Sequence, residues 1–190
     1  MQDRIVQVGD PVLRARAKPV AKKDIGGKKV QAVIARMRRV LAKEEFGVAI
    51  AAPQIGEPLR IFVIAGKAFL TDEDKKSFGQ GESKQKAPPD MVFINPELTR
   101  LSKAKKEMSE GCLSVRGKYG TVMRHEKASI KALDETGKPI AYHGSGLVGH
   151  IFQHECDHLD GVLYIDKAVR LEEDEDMQAA RKKIKDKHGV

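Results

Sequence analysis

The chain has 190 residues, of which 41% are hydrophobic and 33% are charged, and its formal net charge is +8. These values fit a globular protein, and we expect a single domain over residues 1–190. No run approaches the roughly 18 apolar residues that cross a bilayer, and the start of the chain lacks the pattern of a secretory signal. The expected location is therefore the cytoplasm.

The positive charge permits contact with a polyanion such as ribosomal RNA, although it does not demonstrate one. Only three Tyr and six Phe are present, and no alternation of basic and aromatic residues suggests stacking on bases. A solvated basic surface is the simpler interpretation. Neither DNA nor a membrane is an expected partner.

The first element in chain order is an amphipathic helix within residues 28–45. Apolar side chains recur there at helical spacing, which places on one face Val30, Ile34, Met37 and Leu41. This face is expected to pack on a core. The arginines of the segment fall elsewhere around the helix, and we expect them to be solvated.

Two short, β-branched apolar runs follow, at 59–64 and 91–96, and both predict buried strands. The segment between them, 66–90, is polar and rich in Gly, Lys and Pro. It is long for a connection within a compact domain, so we expect a surface insertion rather than a linker.

Residues 126–143 predict a β-hairpin with one solvated face, because apolar and polar residues alternate before the turn residues 134–137. Helix-forming residues resume around Ser145 and end at Gly161. The segment 171–190 runs from acidic to basic, which suits the dipole of a C-terminal helix. The expected class is α+β, with strands around a central helix.

This central helix contains the sequence QHECDH, in which His154 and His158 are four residues apart and Glu155 follows the first. Four-residue spacing places two imidazoles on one helical face, which suits the binding of one cation. Leu147 and Ile151 continue the same stripe, so the histidines are expected to face the core. Glu155 is offset by about 100°, which lets it reach a metal-bound water without being a ligand.

A catalytic zinc-type site requires a third protein ligand and one open position. Tyr164 stands where long zinc-protease motifs carry a third histidine, and the acidic cluster that starts at Glu172 is expected to be solvated. Cys156 lies about 200° from His154 around the helix and is expected to pack in the core. Cys112 is the better candidate, which gives a Cys-His-His set with one position left for water.

Three segments in this order resemble the signature motifs of the peptide deformylase family: GVAIAAPQ at 47–54, EGCLS at 110–114 and QHECDH at 153–158. The similarity covers nearly the whole chain. It implies an α+β fold in which antiparallel or mixed sheets surround a central metal-binding helix, with an N-terminal amphipathic helix and a C-terminal helix. The implied activity is hydrolysis of the formyl group from the N-terminal formyl-methionine of newly synthesised polypeptides, which releases formate.

The resemblance also implies roles for individual residues. The implied metal ligands, with water as the fourth, are Cys112, His154 and His158. Glu155 would act as acid and base, and the amide of Gln54 with the backbone N–H of Leu113 would meet the oxyanion. The implied substrate contacts are Gly47, Val48, Ala49, Leu147 and Ile151. The metal of the family is usually ferrous iron, and zinc, nickel or cobalt can occupy the same site.

Four residues depart from the usual family pattern, one of them being Ile50, which stands where leucine is common. Ala49 replaces the second glycine of the first motif, and Arg116 stands where proline is frequent, which puts a mobile cation near the entrance. His150 lies one turn before His154, where it could approach the pocket for the methionine side chain. We interpret it as tolerated variation rather than as a fourth ligand.

Two alternatives remain open. Another metal-dependent amidase or metallopeptidase could use the same helix, and an inactive deformylase-like protein could bind the ribosome through its basic surface. The expected partners are N-formyl-methionyl nascent peptides and, through the helix at 171–190, the ribosome.

Overall fold

The computed structural model describes residues 3–70 and 87–173. The helices in these ranges are α1 (Lys28–Leu41) and α2 (Gly146–Leu159). The strands are β1 (Ala49–Ala51), β2 (Ile61–Ile64), β3 (Met91–Leu101), β4 (Lys105–Cys112), β5 (Val115–His125), β6 (Lys127–Leu133), β7 (Pro139–Ser145) and β8 (Ala168–Glu173). The α+β class and the central helix are confirmed.

The strands form two antiparallel sheets. The larger sheet has the order β1-β2-β3-β6-β7, and the smaller has the order β4-β5-β8. The predicted hairpin is the pair β6–β7, in which Lys127 lies opposite Ser145 and Leu133 lies opposite Pro139. Strand β1 lies at one edge of the larger sheet, which leaves its other side unpaired within that sheet.

Strands β1 and β2 of the larger sheet are buried on both faces, which explains the continuous apolar run of β2. Ile61 and Val63 point toward α1, and Phe62 and Ile64 point toward α2. Alternate residues of a strand face opposite sides, so a strand between two helices must be apolar at every position. Helix α2 is thereby held between the larger sheet and the smaller one.

Helix α1 buries the face predicted for it, but one of its arginines is not solvated. Arg36 is only 8% exposed. Its guanidinium contacts the Glu57 carboxylate at 3.1 Å and the backbone carbonyl of Ile55. The helical pattern could not reveal this pairing, because both partners come from a separate segment that folds against α1.

Two predicted boundaries are corrected. Gly66–Phe69 form a 3-10 helix in which Gly66 and Ala68 are buried, so the surface insertion does not begin at 66; residues 71–86 lie outside the described part. Residues 171–173 form the end of strand β8 rather than the start of a C-terminal helix, because they pair with residues 118–120 of β5. The rest of that predicted helix, from 174 on, also lies outside the described residues.

The predicted single domain over 1–190 stays a prediction. Within the described ranges, no helix has the length and hydropathy required to cross a membrane.

The Gly66→Ala variant is expected to be less stable than the wild type by about 1–3 kcal/mol, the usual cost of overpacking. A Cβ atom on Gly66 would lie 1.6 Å from the Pro88 carbonyl oxygen, so the backbone must shift. Chemical denaturation measures the change. Gly26→Ala is the matched control, because a Cβ there has no atom within 4 Å, and it should stay within about 1 kcal/mol of the wild type. Equal stability of the two variants would contradict the packing argument.

Candidate active site

The three predicted metal ligands lie together between the two sheets. Cys112 is the last residue of β4, and its pairing with β5 shifts register between Gly111 and Cys112. His154 and His158 lie on one face of α2. The Cys112 Sγ atom is 3.2 Å from Nε2 of His158, and one donor atom from each of the three residues lies within 4.8 Å of the others.

The chemistry of these donors fits a divalent cation. Burial, together with the charges of Glu155 and Glu110, raises the pKa of the Cys112 thiol to about 12. Burial also lowers the pKa of His158 well below its ordinary value. Both groups are therefore neutral when no cation is present, and a cation would favour the thiolate. One sulfur and two imidazole donors suit Fe²⁺, Zn²⁺, Co²⁺ and Ni²⁺ alike.

Gln54 lies in the 3-10 helix Ala52–Ile55 and points its amide nitrogen toward this cluster. Its Oε1 atom accepts the Ala51 N–H at 2.8 Å, which fixes the direction of the amide. Its Nε2 atom then lies 3.4 Å from Sγ of Cys112 and 3.2 Å from Oγ of Ser114. Gln54 thus presents an N–H donor beside the predicted metal site.

Glu155 is buried at 4% exposure, and its Oε2 atom has no hydrogen-bond partner among the described residues. Burial, with a smaller contribution from the charge of Glu110, raises the pKa of this carboxyl to about 8. A buried carboxyl without a partner is costly for the fold. The arrangement suits a proton-transferring group rather than a structural one.

Glu110 lies at the centre of a set of hydrogen bonds and ion pairs around the predicted metal ligands. It was not among the residues predicted for the site. Its Oε2 atom accepts the Nδ1–H of His154 at 2.7 Å, so Nε2 of that ring is the nitrogen left for a metal. Arg124 binds both Glu110 oxygens, at 2.6 and 3.1 Å, and also contacts Asp157 at 2.6 Å. Burial of Glu110 opposes ionisation, but hydrogen bonds from His150, His154 and Arg124 outweigh it and lower the pKa of Glu110.

One signal for this network was present in the sequence. Glu110 lies two residues before Cys112, inside the motif EGCLS, and alternation along β4 directs both side chains to the same side. Asp157 likewise lies inside the motif QHECDH. No comparable signal marked Arg124, which comes from β5 and meets Asp157 of α2 only in the folded chain.

A cavity of about 800 Å³ opens onto the cluster. It is lined by predicted catalytic and ligand residues, namely Gln54, Cys112, Leu113, His154 and Glu155. It is also lined by every predicted substrate contact: Gly47, Val48, Ala49, Leu147 and Ile151. His158 is not one of the lining residues; it is 1% exposed, and its Nε2 atom lies 3.2 Å from Sγ of the lining residue Cys112. The tertiary structure therefore brings the predicted site residues to the wall of one cavity or, for His158, into contact with a residue of that wall.

The structure shows the surroundings of four residues that the sequence analysis discussed without placing them in the predicted site. The hydroxyl of Tyr164 donates to the Lys118 carbonyl at 2.8 Å, and Cys156 lies in the apolar cluster beneath α2. Arg116 lines the cavity, but it is held by Glu44 at 2.7 Å rather than being a free cation. His150 also lines the cavity, and its Nε2 atom lies 2.8 Å from Oε1 of Glu110.

The sequence profile of the family described as polypeptide deformylase matches residues 2–174. Peptide deformylase from Halothermothrix orenii is 38% identical over 171 residues, which is 90% of this chain and 96% of that protein. Peptide deformylase 1A from Arabidopsis thaliana is 41% identical over 166 residues, 87% of this chain. The chain spans about three fifths of the length of this plant relative and of a tomato relative, with 61% and 58% of them covered.

Solved structures agree with the sequence comparison. Peptide deformylase from Thermotoga maritima superimposes with a TM-score of 0.70 and 32% identity, over 88% of this chain and 97% of that one. Peptide deformylase from Legionella pneumophila gives a TM-score of 0.70 and 36% identity, over 97% and 95% of the two chains. The chain belongs to the polypeptide deformylase family.

Replacing Arg124 by Met is expected to lower the free energy of unfolding by about 3–5 kcal/mol, the usual cost of breaking a buried ion pair. The side chains of Arg124 and Glu110 are 5% and 1% exposed, so the carboxylate left behind stays buried. Chemical denaturation of the metal-free protein is the measurement.

Arg170→Met is the control for this variant, because Arg170 pairs with Glu172 on the surface and its side chain is 73% exposed. Its loss should cost no more than about 1 kcal/mol. Similar effects of the two substitutions would refute the importance assigned to burial.

Proposed function

We propose that this protein hydrolyses the N-formyl group from the N-terminal formyl-methionine of newly synthesised polypeptides and releases formate. The observation that carries the proposal is the convergence of the Cys-His-His cluster, Glu155 and Gln54 on one cavity in a chain of this family. A donor set with one soft sulfur, a buried carboxyl beside it and an oriented amide are the parts that amide hydrolysis at a metal needs.

Cys112, His154 and His158 would hold one divalent ion, and ferrous iron is the ion that the family resemblance implies. When bound, such an ion supplies Lewis acidity, which makes a water nucleophilic near neutral pH and polarises a carbonyl. Glu110 keeps the His154 ring in one orientation through its bond to Nδ1. This outer contact supports the ligand without taking the place of a donor.

Glu155 is proposed as the group that moves the proton. The attacking water forms a bond to the formyl carbon and gives up a proton, which the Glu155 carboxylate accepts. The carbon–nitrogen bond then breaks, and Glu155 returns the proton to the leaving amine, so the products are formate and a free N-terminus. The Oε2 atom of Glu155 suits this role because it has no competing hydrogen bond among the described residues.

The developing negative charge on the formyl oxygen requires donors already in place. Gln54 offers its amide N–H from a position fixed by the Ala51 N–H. Leu113, in the turn between β4 and β5, lines the same cavity and would offer its backbone N–H. One such donor is worth about 3–4 kcal/mol in the transition state.

The edge strand β1 is proposed to bind the peptide backbone. The Val48 carbonyl already accepts the Ala65 N–H at 2.8 Å, on the side of β2. Because successive residues of a strand direct their backbone groups to opposite sides, Ala49 offers its groups to the open side. Leu147 and Ile151 on α2 would form the apolar wall of the methionine pocket.

Two parts of the expectation remain predictions. Contact with the ribosome was assigned to 171–190, most of which lies outside the described residues. The cytoplasmic location rests on the sequence alone.

The purified, metal-loaded protein is expected to release formate from a formyl-methionyl peptide, and Glu155→Gln should lower kcat by about 10²–10⁴-fold. The amide retains the shape of the carboxyl but cannot accept the proton, so metal content should not change. Glu97→Gln, which changes an exposed carboxyl on β3, is the control and should retain the wild-type rate.

Two outcomes would contradict this proposal. Cleavage of an internal peptide bond without formate release would identify a metallopeptidase, and unchanged turnover in Glu155→Gln would remove this residue from the mechanism.

Replacing a residue that only contacts a metal ligand typically lowers metal affinity by roughly 10–100-fold. Cys112→Ser, which replaces a proposed ligand, should lower the affinity by more than this or change which metal is bound. The reason is that a hydroxyl replaces the only sulfur donor of the cluster. Metal analysis of anaerobically purified protein measures the change. Cys156→Ala, which alters a thiol in the apolar cluster, should keep full metal content. A stoichiometric and unchanged metal in Cys112→Ser would exclude the thiolate as a ligand.

A further inference from the structure

Phe46 lies at the corner of a tight turn, where an aromatic residue is unusual. The Gly47 N–H donates to the Glu44 carbonyl at 3.0 Å, which closes a four-residue turn with Glu45 and Phe46 at its two central positions. Glycine, asparagine, aspartate and proline are the residues that such positions favour. Phe46 is 88% exposed, so its ring gains little from the folded state.

Contacts on both sides fix this turn. The Glu44 carboxylate binds Arg116 at 2.7 Å, which ties the turn to the start of β5. The Lys67 ammonium donates to the Glu45 carbonyl at 2.7 Å. A Cβ atom on Gly47 would lie 2.9 Å from Cβ of Glu44, so the turn accepts no side chain at that position. The backbone that carries the exposed ring is therefore held in place by its neighbours.

The position of the ring relates it to the active cavity. Phe46 lines this cavity together with Gly47, Val48 and Ala49, the segment proposed to bind the peptide backbone. In the described residues, Phe46 belongs to none of the three apolar clusters of the core. Leu147, also on the cavity wall, is 41% exposed. Phe46 and Leu147 thus give the wall of the cavity an apolar surface that is exposed in the described structure.

We propose that Phe46 is a specificity residue that packs against an apolar side chain at the second or third position of the formylated peptide. This inference rests on the proposed function. A peptide paired with β1 is extended and advances about 3.3 Å per residue, so the residues after the formyl-methionine leave the site along the segment that ends at Phe46. Covering part of an aromatic ring with an aliphatic side chain is worth about a fivefold gain in binding.

The experiment compares three peptides that differ in one leucine: formyl-Met-Ser-Ser-Ser, formyl-Met-Leu-Ser-Ser and formyl-Met-Ser-Leu-Ser. For the wild type, kcat/KM should be about fivefold higher for one of the two leucine peptides than for the all-serine peptide. Phe46→Ser should abolish that preference by lowering kcat/KM for the preferred leucine peptide more than for the all-serine peptide, while Phe46→Leu should keep part of it. Val169→Ser, which removes a residue 67% exposed on β8, is the control and should behave as the wild type.

The same preference should be measured as binding of the three peptides to Glu155→Gln, which does not depend on turnover. The inference is overturned if the wild type has no preference, or if Phe46→Ser changes all three peptides equally. A leucine preference in binding that Phe46→Ser removes, with no formate released by the wild type, would reject deformylation and retain the role of Phe46. Formate release without any leucine preference would retain deformylation and reject the role of Phe46.

Discussion

The buried carboxylate of Glu110 is the group on which the arrangement of the site depends. It comes from the smaller sheet, and it is bound by Arg124 of the same sheet and by His150 and His154 of α2. Helix α2 packs on the larger sheet, so this carboxylate links the two halves of the structure. An ionised carboxylate in this position would be strongly unfavourable without its partners. The contacts that keep it charged also fix the orientation of His154, a predicted metal ligand.

The cavity lies where the two sheets meet, and neither sheet alone supplies all the chemical groups that surround it. The thiol comes from the end of β4, the imidazoles and the carboxyl of Glu155 from α2, and the amide of Gln54 from the 3-10 helix after β1. The free edge of β1 forms one wall. One packing arrangement therefore places the proposed reacting groups deep in the structure and leaves open the edge that is proposed to bind the peptide.

The residues predicted and the residues missed differ in how local their signals are. His154 and His158 were recognisable because their partnership is set by the helical repeat within five residues, and Cys112 and Gln54 because they lie in motifs of a known family. Arg36 was misjudged, and Arg124 was not singled out. Charged side chains at such positions are usually solvated, and the carboxylates that bury these two belong to segments that are distant in the chain.

By itself, the sequence determined the α+β class, the apolar face of α1, the hairpin at 126–143 and the identity of the candidate ligands, because each depends on periodicity or on a short motif. The tertiary structure decided that residues 171–173 extend the smaller sheet instead of beginning a helix, since their pairing partners lie more than fifty residues earlier. It also decided that Nδ1 of His154 bonds to Glu110 and that the side chain of Phe46 is exposed. These features depend on which distant segments meet, and no local pattern encodes that.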